Sequence, residues 1–189
     1  MSVITKVVAV CALGAILVLG SRSIGTAAQA PVLRAKADIQ GAAGSGISGE
    51  ALLIQSTAGI VPGVLVVVRV IGLAPGSIHG VHIHEVGLCT PTFAAAGGHF
   101  DPGPFGMSNP DANHPFHMGD LPNLVASETG VAAFEHRTSR ITLTPGPLSV
   151  FDTDGSAIIV HVDEDRGTTG VTNGAGGARL ACGVIQRDN

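Results

Sequence analysis

In Gly80-Val81-His82-Ile83-His84-Glu85 two histidines stand one residue apart. An extended chain sends successive side chains to opposite faces, so His82 and His84 share one face while Val81 and Ile83 share the other. A strand that buries Val and Ile and presents two imidazoles on its reverse suits a metal ion, because imidazole binds copper, zinc, iron and nickel. Further donors recur downstream: His99, His114, His117 and Asp120 in one stretch, then His161. The last repeats the alternation, with Ile159 and His161 on a face opposite Ile158 and Val160. No serine or cysteine nucleophile is credibly placed, and the Asp and Glu residues make no hydrolase pair. The chemistry on offer is that of a bound metal.

The elements that must carry these donors are short strands punctuated by Gly and Pro. Candidates are Leu33–Gln40, Gly49–Gln55, Val64–Gly72, Gly80–Glu85, Leu121–Ser127, Gly130–Glu135, Ala157–His161 and Ala181–Ile185. No amphipathic helix is evident. Many short strands with Gly/Pro-rich turns indicate an all-β sandwich or closed barrel. Val64-Leu65-Val66-Val67-Val68 is almost uniformly apolar and is expected at a well-covered central position. Two stretches break the strand rhythm, Gly87–Asp120 and Asp163–Arg179. Loops this long inside a compact domain are usually functional, and the first holds His99, His114, His117, Asp120 and Cys89.

The N-terminus reads as a secretory signal. Lys6 precedes an apolar run from Val7 to Gly20, and Ala28-Gln29-Ala30 is a small-x-small cleavage pattern. The run is short for a membrane span, which needs about 20 residues, although a retained anchor is the alternative. No other stable membrane partner is expected. Cleavage after Ala30 leaves residues 31–189 as one domain, exported to a periplasm or the exterior, and removes Cys11. Cys89 and Cys182 remain, and an even count in an exported chain suggests one disulfide, with two buried thiols as the other reading. The chain has ten basic and fourteen acidic residues. Lys6 and Arg22 precede residue 31, so the mature formal charge is 8 − 14 = −6. That argues against nucleic acid as a partner, since phosphate contacts need basic clusters.

Taken in order, Gly80–Glu85, Gly98-His99-Phe100-Asp101-Pro102, His117-Met118-Gly119-Asp120, Val160-His161 and Arg179-Leu180-Ala181-Cys182-Gly183-Val184-Ile185 resemble a bacterial, secreted copper/zinc superoxide dismutase. The resemblance runs from about Arg34 to Ile185. It implies a flattened eight-stranded Greek-key barrel whose metals lie outside it, under the two long loops. It implies copper on His82, His84, His99 and His161, with His99 bridging as an imidazolate to a zinc that also takes His117, Asp120 and one further histidine. Asp165 would tie a copper ligand to a zinc ligand. Cys89–Cys182 would pin the first loop to the barrel, and Arg179 would dock superoxide beside the copper. Dismutation would then yield oxygen and peroxide, with His99 carrying a proton. A homodimer is compatible with the family, but no apolar strip nominates a face.

Two departures stand out. The usual spacing of the third zinc histidine falls on Met107, leaving His114 as the histidine that could fold in. The alternatives are a site completed by water or a copper-only enzyme. The stretch Thr168–Ala178 also lacks any charged residue, so attraction of an anion must rest on Arg179, the metals and Arg166. A non-catalytic secreted copper-binding module is the competing function, and it would have no need of Arg179 or Asp165. A structural or adhesion module would have no use for the histidines at all. The remaining groups read as structural: His79 as a packed histidine bonded to backbone, His136 as a surface residue, Glu85 as a scaffold group, and Asp152-Thr153-Asp154-Gly155 as a turn rather than a calcium loop.

Overall fold

Period-two burial runs through the first three strands. Ala35, Ala37 and Ile39 point inward from β1 (Val32–Gly41), Ala51, Leu53 and Gln55 from β2 (Ser48–Ser56), and Val64, Val66, Val68 and Val70 from β3 (Gly63–Ile71). These belong to a computed structural model that describes residues 31–57, 63–103, 108–109, 111–112 and 114–188. The expected signal segment 1–30 and Met107 lie outside the described residues. The other strands are β4 (Ile78–His79), β5 (Val81–His84), β6 (Leu124–Val125), β7 (Ala132–Thr138), β8 (Ala157–His161), β9 (Arg179–Val184) and β10 (Gln186–Arg187). Among the described residues the only helical element is one 3₁₀ turn, Phe93–Ala96, and no helix is long and apolar enough to cross a membrane.

The main sheet is antiparallel, in the order β5-β8-β9-β1-β2-β3-β7, with β10 also on β1. β4 and β6 form a separate pair. β4 runs through Gly80 into β5, and a turn at Ser127–Gly130 joins β6 to β7, with Ser127 N donating to Val131 O at 2.9 Å. This small pair therefore lies between the two ends of the curled sheet. The crossings from β3 to β4 (residues 72–77) and, by a longer path, from β7 to β8 (residues 139–156) give the Greek-key connection. The all-β barrel expected from the sequence is observed.

Two expectations are refined. β3 is central, between β2 and β7, but only one of its faces is fully buried; Leu65 and Val67 are half-buried on the other. The strand expected over Leu121–Ser127 shrinks to two residues. Leu121 N bonds Val81 O (3.2 Å), so this stretch is spent on closing the loop against β5 before pairing with β4.

β5 is the element on which the site is built. One edge pairs with β8, from Val81↔Val160 to His84↔Ala157. The other edge takes the first long loop: Phe100 N donates to Ile83 O (2.9 Å), Glu85 N to Gly98 O (3.0 Å) and Ile83 N to Gly119 O (2.8 Å). Gly119 must be glycine there, because a Cβ would run into the Ile83 carbonyl. Val81 and Ile83 join the main core, together with Ile158 and Val160. Ile159 faces the other way, into a small cluster with Ala96, Ala157 and Cys182.

Candidate metal centre

His82, His84, His99 and His161 come from β5, the first loop and the end of β8, and all four are buried. Isolated backbone bridges pair His84 with His99 and His82 with Asp120. One ligand atom from each of the four histidines lies within 4.8 Å of the others. The free nitrogens are set by what holds the opposite nitrogen. His82 Nε2 lies 2.9 Å from Asp165 Oδ2, His84 Nδ1 donates to Gly97 O (3.0 Å), and His161 Nδ1 donates to Gly177 O (2.9 Å). His99 Nδ1 lies 2.8 Å from Asp120 Oδ1. That leaves His82 Nδ1 and His99 Nε2 buried without a hydrogen-bond partner, while His84 Nε2 and His161 Nε2 face each other at 3.4 Å. Buried polar atoms are rarely left unpaired, and a ring oriented through its far nitrogen is the usual arrangement of a metal-bound histidine. These donors fit a metal.

Asp120 is the centre of a second set. Its carboxylate lies 2.8 Å from His99 Nδ1 and 3.3 Å from the Nδ1 atoms of both His114 and His117. His117 N also donates to Asp120 Oδ2 (3.0 Å). The tightest grouping here, again within 4.8 Å, is His82, His99, His114 and Asp120. His82 and His99 thus stand in both groups, and His117 stands beside the second, with its ring 4.9 Å from that of His99. His114 arrives despite its unexpected spacing. Its Nε2 lies 2.5 Å from Asp165 Oδ1, so Asp165 holds His82 with one oxygen and His114 with the other. Three imidazoles and a carboxylate suit zinc, which is usually four-coordinate on N, O and S donors.

Electrostatics follow the burial. Burial lowers His82 to about 3 and His161 to about 4, against an ordinary 6.5, and moves His84 and His99 in the same direction. These rings are neutral at pH 7, the form that binds metal. Burial also opposes protonation of His114, but the carboxylates of Asp120 and Asp165 outweigh it and raise the ring to about 9. Both aspartates are held well below the usual carboxylate range by these histidines, against the opposing effect of burial.

Arg179 opens β9 and is half-buried, its guanidinium donating to the carbonyls of Phe93 and Gly97. Gly97 O therefore receives both Arg179 and His84. Cys89 and Cys182 are joined in a disulfide, which ties the segment carrying Phe93 and Gly97 to β9. The residues read as structural are so placed. His79 is buried, with Nδ1 donating to His161 O (2.7 Å) and Nε2 2.6 Å from Ser77 Oγ. Glu85 accepts from Gly98 N (2.7 Å), His136 is partly exposed on β7, and Gly155 N closes a turn on Asp152 Oδ1. Sequence reasoning missed Asn123. Its side chain donates to Asp165 O (2.8 Å) and accepts from Asp165 N (3.1 Å), fixing the backbone of the bridging aspartate. A contact to main chain leaves no spacing pattern to read.

A Greek-key barrel with a buried histidine–aspartate centre under two loops defines a class of metalloprotein built to hold two ions. The sequence profile of the copper/zinc superoxide dismutases matches residues 47–185. The chain is 42% identical over 130 residues to a Cu-Zn superoxide dismutase of Caulobacter vibrioides, covering 66% of this chain and 72% of that one. It is 37% identical over 163 residues to a Cu-Zn superoxide dismutase of Mesembryanthemum crystallinum, covering 82% and 95%. A solved structure of a superoxide dismutase-like protein from Bacillus subtilis superposes with a TM-score of 0.64 at 29% identity, covering 79% of this chain and 96% of the other. The chain belongs to the copper/zinc superoxide dismutase family.

Proposed function

We infer that the protein is a superoxide dismutase that uses copper and zinc. Copper would be held by His82 Nδ1 and by Nε2 of His84, His99 and His161. Zinc would be held by Nδ1 of His99, His114 and His117 and by the Asp120 carboxylate. The observation that carries this reading is the shared His99 ring, which turns its orphaned Nε2 toward three other imidazoles and its Nδ1 toward Asp120. Bound copper supplies two accessible oxidation states, so that one superoxide is oxidised to oxygen and the next reduced to hydrogen peroxide with uptake of two protons. The chain's own groups do the rest. With its Nδ1 engaged on the zinc side, the His99 ring would stay neutral when its Nε2 takes a proton, and burial, which disfavours the charged ring, would favour that proton's release. Arg179 has two N–H groups committed to Phe93 O and Gly97 O. The remaining donors of its guanidinium fork are free to bind a small anion by charge-assisted hydrogen bonds. Asp165 keeps the rings of His82 and His114 in register with each other.

Residues 31–189 would form the mature domain, exported to a periplasm or the exterior after removal of residues 1–30; the Cys89–Cys182 bond supports an oxidising compartment. The decisive experiment measures copper and zinc content of purified protein and its dismutase rate before and after chelation. One copper and one zinc per chain, with activity lost on chelation and restored by copper, is the expected result. Zinc retained at full stoichiometry in His114→Ala would remove His114 from the set, and full activity without copper would overturn the function.

A further inference from the structure

The segment that carries His114 and His117 exposes Phe116 at its middle (64%), and its nearest apolar contact with the core is made just beyond it, by Met118. Its polar contacts go largely to other loop residues: Thr169 Oγ1 donates to His114 O, His114 Nε2 pairs with Asp165 and its Nδ1 lies 3.3 Å from Asp120, and His117 N donates to Asp120. Among the described residues, the one hydrogen-bonding side chain that reaches residues 114–117 from outside the two long loops is Arg140. Its Nη1 donates to His117 O (3.2 Å) and Pro115 O (3.4 Å). His117 O is also the acceptor of Asp120 N (3.3 Å), so the guanidinium grips the turn that presents both His117 and Asp120.

The base from which Arg140 reaches is firm. It follows β7, its own N–H donates to Thr138 Oγ1 (3.1 Å), and its neighbour Ile141 is fully buried in the core. Arg140 also lines an open depression of about 380 Å³, whose wall includes Asp120, Asp165, Pro115 and Arg137. Its hold on the loop is therefore beside a depression that both aspartates also line.

We propose that Arg140 is a positioning residue for the zinc site, fixing from the barrel the turn that delivers His117 and Asp120. This rests on the zinc ligand set inferred above. A planar fork can serve two carbonyls at once, whereas a lysine is a single flexible point donor. Outer partners of metal ligands typically change affinity by about ten- to hundredfold when removed.

The test compares the metal-loaded protein with Arg140→Ala, Arg140→Lys and Arg137→Ala. Zinc affinity is read by chelator competition, copper retention in the same samples, and site geometry by the visible absorption of cobalt placed in the zinc site. Arg140→Ala should bind zinc about ten- to hundredfold more weakly, with an altered cobalt spectrum and unchanged copper retention. Arg140→Lys should fall between it and the unsubstituted protein, and carries the test if the alanine variant does not fold. Arg137→Ala, which lines the same depression without bonding the loop, should match the unsubstituted protein. Unchanged zinc affinity in both Arg140 variants, or copper and zinc lost in parallel, would overturn the role of Arg140. Absence of zinc binding by the unsubstituted protein would instead overturn the ligand set, and this proposal with it.

Discussion

Asp165 touches two histidines at once, His82 through one oxygen and His114 through the other, and Asn123 fixes its backbone from both sides. Replacing it by alanine leaves both rings without their orienting acceptor. Zinc affinity should fall by about ten- to hundredfold, which chelator competition would read, and unchanged affinity would refute the role. The titration of the same rings sets the stability of the metal-free protein. Burial lowers His82 to about 3 and His161 to about 4 from 6.5. As pH falls below 6.5 the unfolded chain takes up protons that these folded rings refuse, so stability drops until the pH passes their folded values. His114 works in the opposite sense. Raised to about 9, its contribution is complete below 6.5 and is lost as pH rises toward 9. The urea midpoint of the metal-free protein should therefore be highest near pH 6.5 and fall on both sides of it. A midpoint that climbs steadily from pH 5 to 9 would contradict these assignments.

The first long loop is an element without a regular backbone of its own, and it is held from three directions. Its two ends zip onto the free edge of β5, Asp120 gathers its histidines, and the disulfide joins its beginning to β9. That bond spans 93 residues; closing a loop of this length restricts the unfolded chain by about 4–5 kcal/mol in the chain-entropy model. The same bond keeps Phe93 and Gly97 where their carbonyls hold Arg179 and His84. The Cys89→Ser, Cys182→Ser double variant should lose most of that stability in chemical denaturation. It should also show a lower dismutase rate at equal copper content, because Arg179 is no longer fixed. Loss of stability with an unaltered rate would separate the bond from the site.

At the scale of the whole molecule, residues 31–189, the proposed mature domain, carry a formal charge of −6 (8 − 14) while the substrate is an anion. The stretch Thr168–Ala178 supplies no charge to offset this, so attraction depends on Arg179, Arg166 and the metals at short range. Short-range attraction is screened little by salt. The rate should change by less than about twofold between low and physiological ionic strength at neutral pH, and a steep fall would reveal steering groups elsewhere on the surface. What could be read along the chain was whatever is local or periodic. His82 and His84 declared themselves because a strand repeats every two residues, and Ile158 to His161 did so for the same reason. β1, β2, β3 and β8 were legible within a residue or so at each end, since one face of each had to be apolar. His114 was legible only as a candidate. Its place depends on a loop folding back until Asp165, 51 residues away, receives its ring, and spacing carries no record of that. Asn123, the carbonyls of Gly97 and Gly177, and Arg140 were invisible because they act through main chain. The sequence by itself determined the donors, their strands and the family; the tertiary structure alone decided which nitrogen of each ring is free, because that choice is made by the acceptor that distant segments bring to the other nitrogen.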